Sequence, residues 1–293
     1  MANNNKAVTL ALMAVLLWST VATAFKLALA DLTPLWLLAI ASLTSLLFLT
    51  GHLLWQQRLI QAWQALQRQR FFYLRQGLIN PLFYYLVLFQ AYDLLPAQQA
   101  QSINYTWALT MSLLAVPMLG QRLFGRDIVA LLMAYVGVVV IATQGRLLAL
   151  EFASISGVLL ALFSTLLWSL YWIWNTAAKD EPEISLWSGF LIATPVIWLL
   201  AGWQGVPSSL TASAGLAAVY VGLFEMGVTF LLWQKAMQAT DRAASIGSLI
   251  FLSPFLSLIF ISQILGEDIH PATFVGLVLI IAGLAVQKLK KPA

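Results

Sequence analysis

The chain has 293 residues, of which 61% are hydrophobic and 9% charged, and it carries a net charge of +4. Soluble domains contain about 25% charged residues, so this composition excludes an ordinary soluble domain and indicates a protein built for lipid. The lack of cysteine excludes disulfides and thiolate metal sites, and the two histidines, His52 and His270, lie too far apart in the sequence to suggest a metal cluster. We expect neither a metal nor a cofactor.

Ten apolar runs are long enough to cross a bilayer, which takes about 20 residues of helix. Backbone polar groups in lipid are satisfied only in helices or closed barrels, and these runs are too long for barrel strands. The sequence therefore predicts an all-α polytopic membrane protein of ten transmembrane helices. The predicted spans are 7–30, 33–55, 72–92, 97–119, 126–144, 153–175, 184–202, 213–235, 242–264 and 271–288.

Lys and Arg residues predict the orientation of these spans. If the N-terminus is cytoplasmic, all but two of the 15 basic residues fall in cytoplasmic segments, and the exceptions are Lys26 and Arg146. Segment 179–183 is net acidic although the same rule places it inside. We predict a multi-pass protein of the bacterial inner membrane with both termini cytoplasmic. The first run has no cleavage site behind it and is interpreted as a retained span.

The long loop 56–70 places Leu59, Trp63 and Leu66 at helical spacing opposite Gln and Arg residues. This pattern is typical of an interfacial helix lying on anionic headgroups. The basic residues of the chain are therefore interpreted as contacts with membrane lipids, and we expect no nucleic-acid partner.

Three short motifs recur in the same order along the chain. LLWS at 16–19 returns at 166–169, AQSI at 100–103 is echoed by AASI at 243–246, and LGQR at 119–122 by LGED at 265–268. The echoes predict two repeats, 1–144 and 145–293, with five spans each. An odd number of spans makes the second repeat enter the membrane from the opposite side. Such inverted repeats hold a substrate near the midplane and expose it alternately to each side.

Polar residues recur on one face of span 4 and in span 3. A polar stripe either lines a cavity or makes hydrogen bonds to a neighbouring helix, and the sequence leaves both readings open. Pro81 could kink span 3 toward a cavity or be an ordinary kink. The stripe consists of Gln98, Gln101, Tyr105 and Ser112 in span 4, with Asn80 and Tyr84 in span 3.

Glu225 is a lone carboxylate inside the apolar run 217–233. A charge at membrane depth costs several kcal/mol unless it faces a partner or a wet cavity. Glu225 could bind a substrate ammonium, carry a proton that drives transport, or make a structural pairing. Thr229 lies one turn further along the same face.

Lys26, late in span 1, could attract a substrate carboxylate or extend its ammonium to the headgroups. Most of the 12 tryptophans fit interfacial belts, but Trp18 and Trp168 lie deeper in their spans. There they could stack on a flat substrate or lie over a cation.

The repeated LLWS motif, Lys26 and the LGE at 265–267 resemble the drug/metabolite transporter superfamily, and its EamA-type branch above all. QSINYTW at 101–107 is similar to the opening of span 4 in the bacterial aromatic amino acid exporters of that branch. The resemblance implies a central cavity lined by aromatic residues of spans 3, 4 and 6. The chain departs from the exporters at Tyr85 and Leu88, where the resemblance predicts a histidine and a tyrosine. The matching aromatic positions are Tyr84, Tyr105, Trp107 and Trp168.

These observations predict a secondary transporter that exports a small metabolite, namely an amino acid (aromatic or not) or a related amphiphile. The alternatives are a channel-like facilitator or drug exporter of the same fold and, more remotely, an intramembrane lipid-modifying enzyme. The chain has no phosphate-binding Gly-Lys-Ser/Thr loop, so we expect no ATP hydrolysis and no enzymatic activity. Proton coupling stays open, as does the choice between monomer and homodimer. The candidate substrate-binding residues are Tyr84, Gln101, Asn104, Tyr105, Trp107, Trp168 and Glu225, with Lys26, Asn80 and Thr229 as candidates for substrate binding or coupling.

Overall fold

The computed structural model describes residues 4–120, 124–146, 153–175, 180–207, 209–239 and 249–288, and the regular structure within them is helical. The first part of the chain forms α1 (Asn4–Leu29), α2 (Pro34–Trp55), α3 (Leu59–Arg68), α4 (Arg70–Gly77), α5 (Tyr84–Leu94), α6 (Ala97–Asn104), α7 (Trp107–Leu119) and α8 (Gly125–Ala142). The second part forms α9 (Ile155–Asn175), α10 (Pro182–Gln204), α11 (Ala212–Tyr220), α12 (Val228–Gln238), α13 (Ser253–Phe260) and α14 (Pro271–Lys288).

Six helical stretches of the described residues are long and apolar enough to cross a membrane. They comprise α1, α2, α8, α9, α10 and the stretch 212–238, and two shorter apolar stretches cover 249–265 and 271–286. Leucines such as Leu47 and Leu199 are exposed on the outer surface. An apolar outer surface is what a helix bundle presents to lipid, so the protein is an integral membrane protein with several spans.

Interhelical loops that the structure describes pair with one another at two faces of the bundle. At one face Trp36 donates from Nε1 to the carbonyl oxygen of Gly205 at 2.7 Å, and Thr211 donates to Asp31. At this same predicted face, the loop after α5 meets the loop before α14, because Gln98 donates to the carbonyl oxygen of Asp268 at 2.9 Å. These pairings join loops that the charge rule places on one common side.

The acidic segment before α10 lies against the basic loop around α3. Arg58 Nη2 is 2.7 Å from Glu181 Oε1, and Arg68 Nη2 is 2.6 Å from Asp180 Oδ1. Tyr73 also donates its hydroxyl to Asp180 Oδ2 at 2.7 Å. The net acidic segment therefore lies at the same face as the arginines that neutralise it, which explains the local exception to the charge rule.

Spans 3, 4 and 8 are interrupted rather than continuous. Between α4 and α5 a π-helical turn contains Asn80 in an extended conformation (φ −135°, ψ 114°), as favoured for a residue before proline. α6 ends at Asn104 and α7 starts at Trp107. α11 and α12 are separated by a π-helical turn that ends at Glu225. For span 3 the sequence left a kink at Pro81 open, whereas for spans 4 and 8 it gave no sign of an interruption at these points, because apolar periodicity does not register a local change in backbone hydrogen bonding.

The interruptions recur at the interval of the sequence echoes. The break between α6 and α7 corresponds to a 3₁₀ turn at Leu249–Leu252 before α13, and the break at Asn80 corresponds to the one after Glu225. Gly120 and Gly266, which belong to the LGQR and LGED echoes, both end helical segments in the left-handed region, at φ 66° and 67°. Interrupted helices at corresponding positions of two halves are typical of repeat-built transporters.

α8 and α14 cross at glycines. A Cβ added to Gly137 would lie 2.6 Å from the carbonyl oxygen of Gly276, and one added to Gly276 would lie 2.5 Å from that of Gly137. Small residues allow such close approach of backbones, which drives helix association in membranes. This pair of helices therefore has no space for a larger residue at either glycine.

We expect Gly137→Val to lower the thermal stability of the detergent-solubilised protein, because overpacking costs about 1–3 kcal/mol or more. The measurement is the apparent melting temperature, monitored by size-exclusion chromatography. Gly51→Val is the matched control, since Gly51 also lies in a membrane helix and has no atom within 4 Å of an added Cβ. Equal melting temperatures for the two variants would contradict the close crossing.

Candidate functional site

A cavity of about 490 Å³ lies where the interrupted helices meet. Its lining comes from α1, α5, α9 and α12, and from the 3₁₀ turn that precedes α13. Residues on both sides of the break between α6 and α7 line it as well. The first and sixth predicted spans therefore contribute together with the third, fourth, eighth and ninth, three from each repeat. The lining side chains are Trp18, Val21, Phe25, Tyr84, Leu88, Tyr92, Gln101, Asn104, Tyr105, Trp107, Ala108, Trp168, Trp172, Glu225, Phe230, Trp233, Ile250 and Phe251.

The structure brings all seven candidate substrate-binding residues to this one cavity. They come from four separate spans, so only the tertiary fold unites them. Span 3 supplies the tyrosine, span 4 the amides with Tyr105 and Trp107, span 6 the tryptophan and span 8 the carboxylate. The set is Tyr84, Gln101, Asn104, Tyr105, Trp107, Trp168 and Glu225.

Glu225 is the carboxylate of the cavity wall. It is positioned by the π-helical turn Val221–Glu225, which ends as the backbone changes direction at Gly227 (φ −122°, ψ −91°). The hydroxyl of the buried Tyr85 donates to its Oε1 at 3.1 Å. Within the described part of the chain, its Oε2 has no hydrogen-bond partner and neither oxygen makes an ion pair. The group is therefore held from one side and open to the cavity on the other.

Trp168 is the centre of the aromatic wall. Its ring stacks on Tyr84 at a centroid distance of 4.5 Å and meets Trp107 and Phe230 edge-on at 6.4 and 6.0 Å. Offset and edge-on pairs of this kind contribute about 0.5–1.5 kcal/mol each beyond burial. Trp18, the equivalent of Trp168 in the first LLWS motif, also lines the cavity and packs edge-on against Phe230 at 5.7 Å.

The serines of the two LLWS motifs hold the interrupted helices. The Ser169 hydroxyl lies 2.9 Å from the carbonyl oxygen of Trp107, at the start of α7. The Ser19 hydroxyl lies 3.4 Å from that of Ser253, at the start of α13. Each motif thus contacts the start of a helix in the opposite repeat, α7 or α13, and the adjacent tryptophan lines the cavity.

The amide of Asn104 is fixed by the neighbouring helix, whereas that of Gln101 faces open space. Asn104 donates from Nδ2 to Ser164 Oγ at 2.9 Å. Gln101 lines the cavity and makes no side-chain hydrogen bond to any residue that the structure describes. It is therefore available to a bound molecule as a neutral donor and acceptor.

Three other candidates lie away from the cavity lining. Lys26 donates from Nζ to the carbonyl oxygens of Tyr92 and Leu95, at 2.9 and 3.2 Å, and so satisfies the end of α5. Asn80 is buried at the interruption of span 3. Thr229 is fully buried and donates to the carbonyl oxygen of Phe224 in its own span. The stripe of span 4 divides too, because Gln98 contacts the loop before α14 and accepts from Thr273 at 2.7 Å.

Sequence reasoning missed part of the wall. Trp172 lies one turn after Trp168, while Leu88 and Tyr92 follow Tyr84 at intervals of four residues along α5. Extending each candidate along its own helical face would have found them. The residues of the 3₁₀ turn, Ile250 and Phe251, carry no comparable signal, since no residue pattern in span 9 indicates a 3₁₀ turn before α13.

A second cavity of about 370 Å³ adjoins the first and shares Trp107, Trp172 and Trp233 with it. It continues along α7 past Met111 and Ser112 to Leu119. Three tryptophans therefore form the wall between two consecutive cavities.

A multi-span helix bundle with interrupted helices around an aromatic cavity is typical of membrane transporters. The model of the EamA-like transporter family matches this chain twice, at residues 5–143 and 155–287. The chain belongs to the EamA-like transporter family, which confirms the resemblance inferred from its motifs.

Two curated relatives and one solved structure extend this result. The aromatic amino acid exporter YddG of Ancylobacter novellus is 28% identical over 216 residues, covering 73% of this chain and 73% of its own. The uncharacterized transporter YvbV of Bacillus subtilis is 26% identical over 226 residues, covering 75% and 72%. A solved crystal structure matches 98% of this chain and 97% of its own with a TM-score of 0.66 and 25% identity.

Proposed function

We propose that this protein is a secondary transporter that exports a small aromatic metabolite, an amino acid or a related amphiphile, by alternating access through the central cavity. The observation that carries the proposal is the cavity of about 490 Å³, whose wall combines stacked aromatic rings with the Glu225 carboxylate and the Gln101 amide, which has no side-chain partner in the described part of the chain. Cavities of this size fit small molecules, with apolar walls for binding and a few polar groups for orientation. The printed name of one relative, an aromatic amino acid exporter, supports the aromatic substrate.

The proposed architecture is ten spans in two oppositely oriented repeats, 1–144 and 145–293, in the bacterial inner membrane with both termini cytoplasmic. The pairing of loops at two faces and the matched interruptions support it. In this orientation the second cavity lies toward the cytoplasm. The three shared tryptophans then separate the central cavity from a cytoplasmic entrance.

The test is counterflow in proteoliposomes loaded with unlabelled phenylalanine and exposed to labelled phenylalanine. We expect saturable accumulation of label, inhibited by other flat aromatic solutes. Flux that rises linearly with concentration would instead indicate a channel-like facilitator. No flux of any aromatic solute, from correctly folded protein, would refute the proposed substrate.

A further inference from the structure

We propose that the cavity selects monocationic aromatic compounds, such as aromatic amines and the amides or esters of aromatic amino acids, over zwitterionic amino acids. This inference rests on the proposed function and assigns the charge of its substrate. It follows from what the cavity wall offers to each end of an amino acid.

The ammonium group of an aromatic amine has a carboxylate partner in the cavity wall. Glu225 presents Oε2 to the cavity without a hydrogen-bond partner among the described residues, while Tyr85 holds Oε1 at 3.1 Å. Aromatic side chains line the same cavity, including Tyr84 on α5 and Phe230 on α12, which belongs to the same span as Glu225. A carboxylate next to aromatic faces is the arrangement that recognises a desolvated ammonium group, through charge and through cation–π attraction.

Among the described residues that line the cavity, the carboxylate end has no cationic partner. Among the cavity-lining residues that the structure describes, the charged side chain is Glu225, and none is Lys or Arg. Lys26, the basic residue considered for substrate binding, directs its Nζ to the carbonyl oxygens of Tyr92 and Leu95 instead. Burying a carboxylate without a charged partner is strongly unfavourable, and here the like charge of Glu225 adds repulsion.

Gln101 on α6 supplies a neutral polar group to the cavity wall. Gln101 can accept a hydrogen bond and donate one, which suits an amide, an ester or a hydroxyl group. A phenylalanine amide therefore satisfies both Glu225 and Gln101, whereas phenylalanine itself leaves its carboxylate without a cation. The ring binds the aromatic wall around Trp168 in either case.

The experiment is a competition series in which the ring is constant and the charge changes. Phenylalanine, phenylalanine amide, phenethylamine and phenylacetate compete for binding to the purified full-length protein, and each is then tested for counterflow. We expect the amide and the amine to bind at least about tenfold more tightly than phenylalanine, because an unpaired buried carboxylate costs several kcal/mol. Phenylacetate should not compete.

The variant Glu225→Gln should abolish this preference by weakening the amine and the amide to the affinity of phenylalanine. Asp93→Asn is the control, since it removes a carboxylate at an exposed position outside the cavity. Tighter binding of phenylalanine than of its amide, with phenylalanine transported, would overturn this inference and leave the proposed function intact. If no compound of the series is bound or moved by folded protein, the inference and the proposed function both fail.

Discussion

Replacing Glu225 with glutamine is expected to reduce transport of a cationic aromatic substrate at least about tenfold, since losing a hydrogen bond to a charged group costs about 1.5–3 kcal/mol. The substitution preserves size and leaves Tyr85 a carbonyl oxygen to which it can donate. Loss of transport therefore reflects the missing charge rather than a change of shape. The measurement is the initial rate of counterflow in proteoliposomes.

The same variant tests proton coupling. If substrate cations and protons compete for Glu225, wild-type transport depends on pH and Glu225→Gln does not. Glu225→Asp should retain partial activity, because it keeps the charge but withdraws it by one methylene group. A glutamine variant with the wild-type rate and the wild-type pH dependence would make Glu225 a structural residue.

Replacing Trp168 with alanine is expected to lower substrate affinity at least about tenfold, because it removes the ring against which Tyr84, Trp107 and Phe230 pack. Truncating a buried aromatic residue typically costs about 3–5 kcal/mol, so the folded state should be weakened too. Trp168→Phe separates the two effects, since it restores an aromatic face with less loss of volume. We expect this variant to regain most of the binding.

The matched control is Trp203→Ala. Trp203 is 89% exposed near the end of α10 and does not line either cavity. Its removal should leave both binding and melting temperature near the wild-type values. If Trp168→Ala binds substrate as well as Trp203→Ala does, the stacked aromatic wall is not the binding surface.

The family and the candidate lining residues were accessible from the sequence, but the course of several helices was not. The charge of Glu225 inside an apolar run and the QSINYTW motif each indicate a site by themselves, because polar and aromatic groups at membrane depth need a reason to be there. Nothing in the same patterns predicts that span 4 breaks next to Tyr105. At that break the hydroxyl of Ser169, on another helix, donates to the carbonyl oxygen of Trp107, a contact that only the tertiary structure shows.

Lys26 is a residue whose role the sequence alone left undecided. Its position late in span 1 allowed either a substrate contact or an interfacial one, and a single sequence could not distinguish them. The folded chain gives its ammonium group two carbonyl oxygens at the end of α5. Which partner a long side chain reaches depends on where the adjacent helices end. That is determined by the packing of separate helices and not by the residues of one segment.

By itself the sequence determined that this is a membrane protein with two related halves and a resemblance to transporters. Hydropathy, charge bias and short motifs are local properties of the chain, so they can be identified without the fold. Only the tertiary structure decided that residues of four spans face one cavity and that Glu225 meets Tyr85 there. Helix faces become neighbours through packing, as at Gly137 and Gly276, where two backbones are in close contact. These glycines lie far apart in the sequence, so no local pattern predicts their contact.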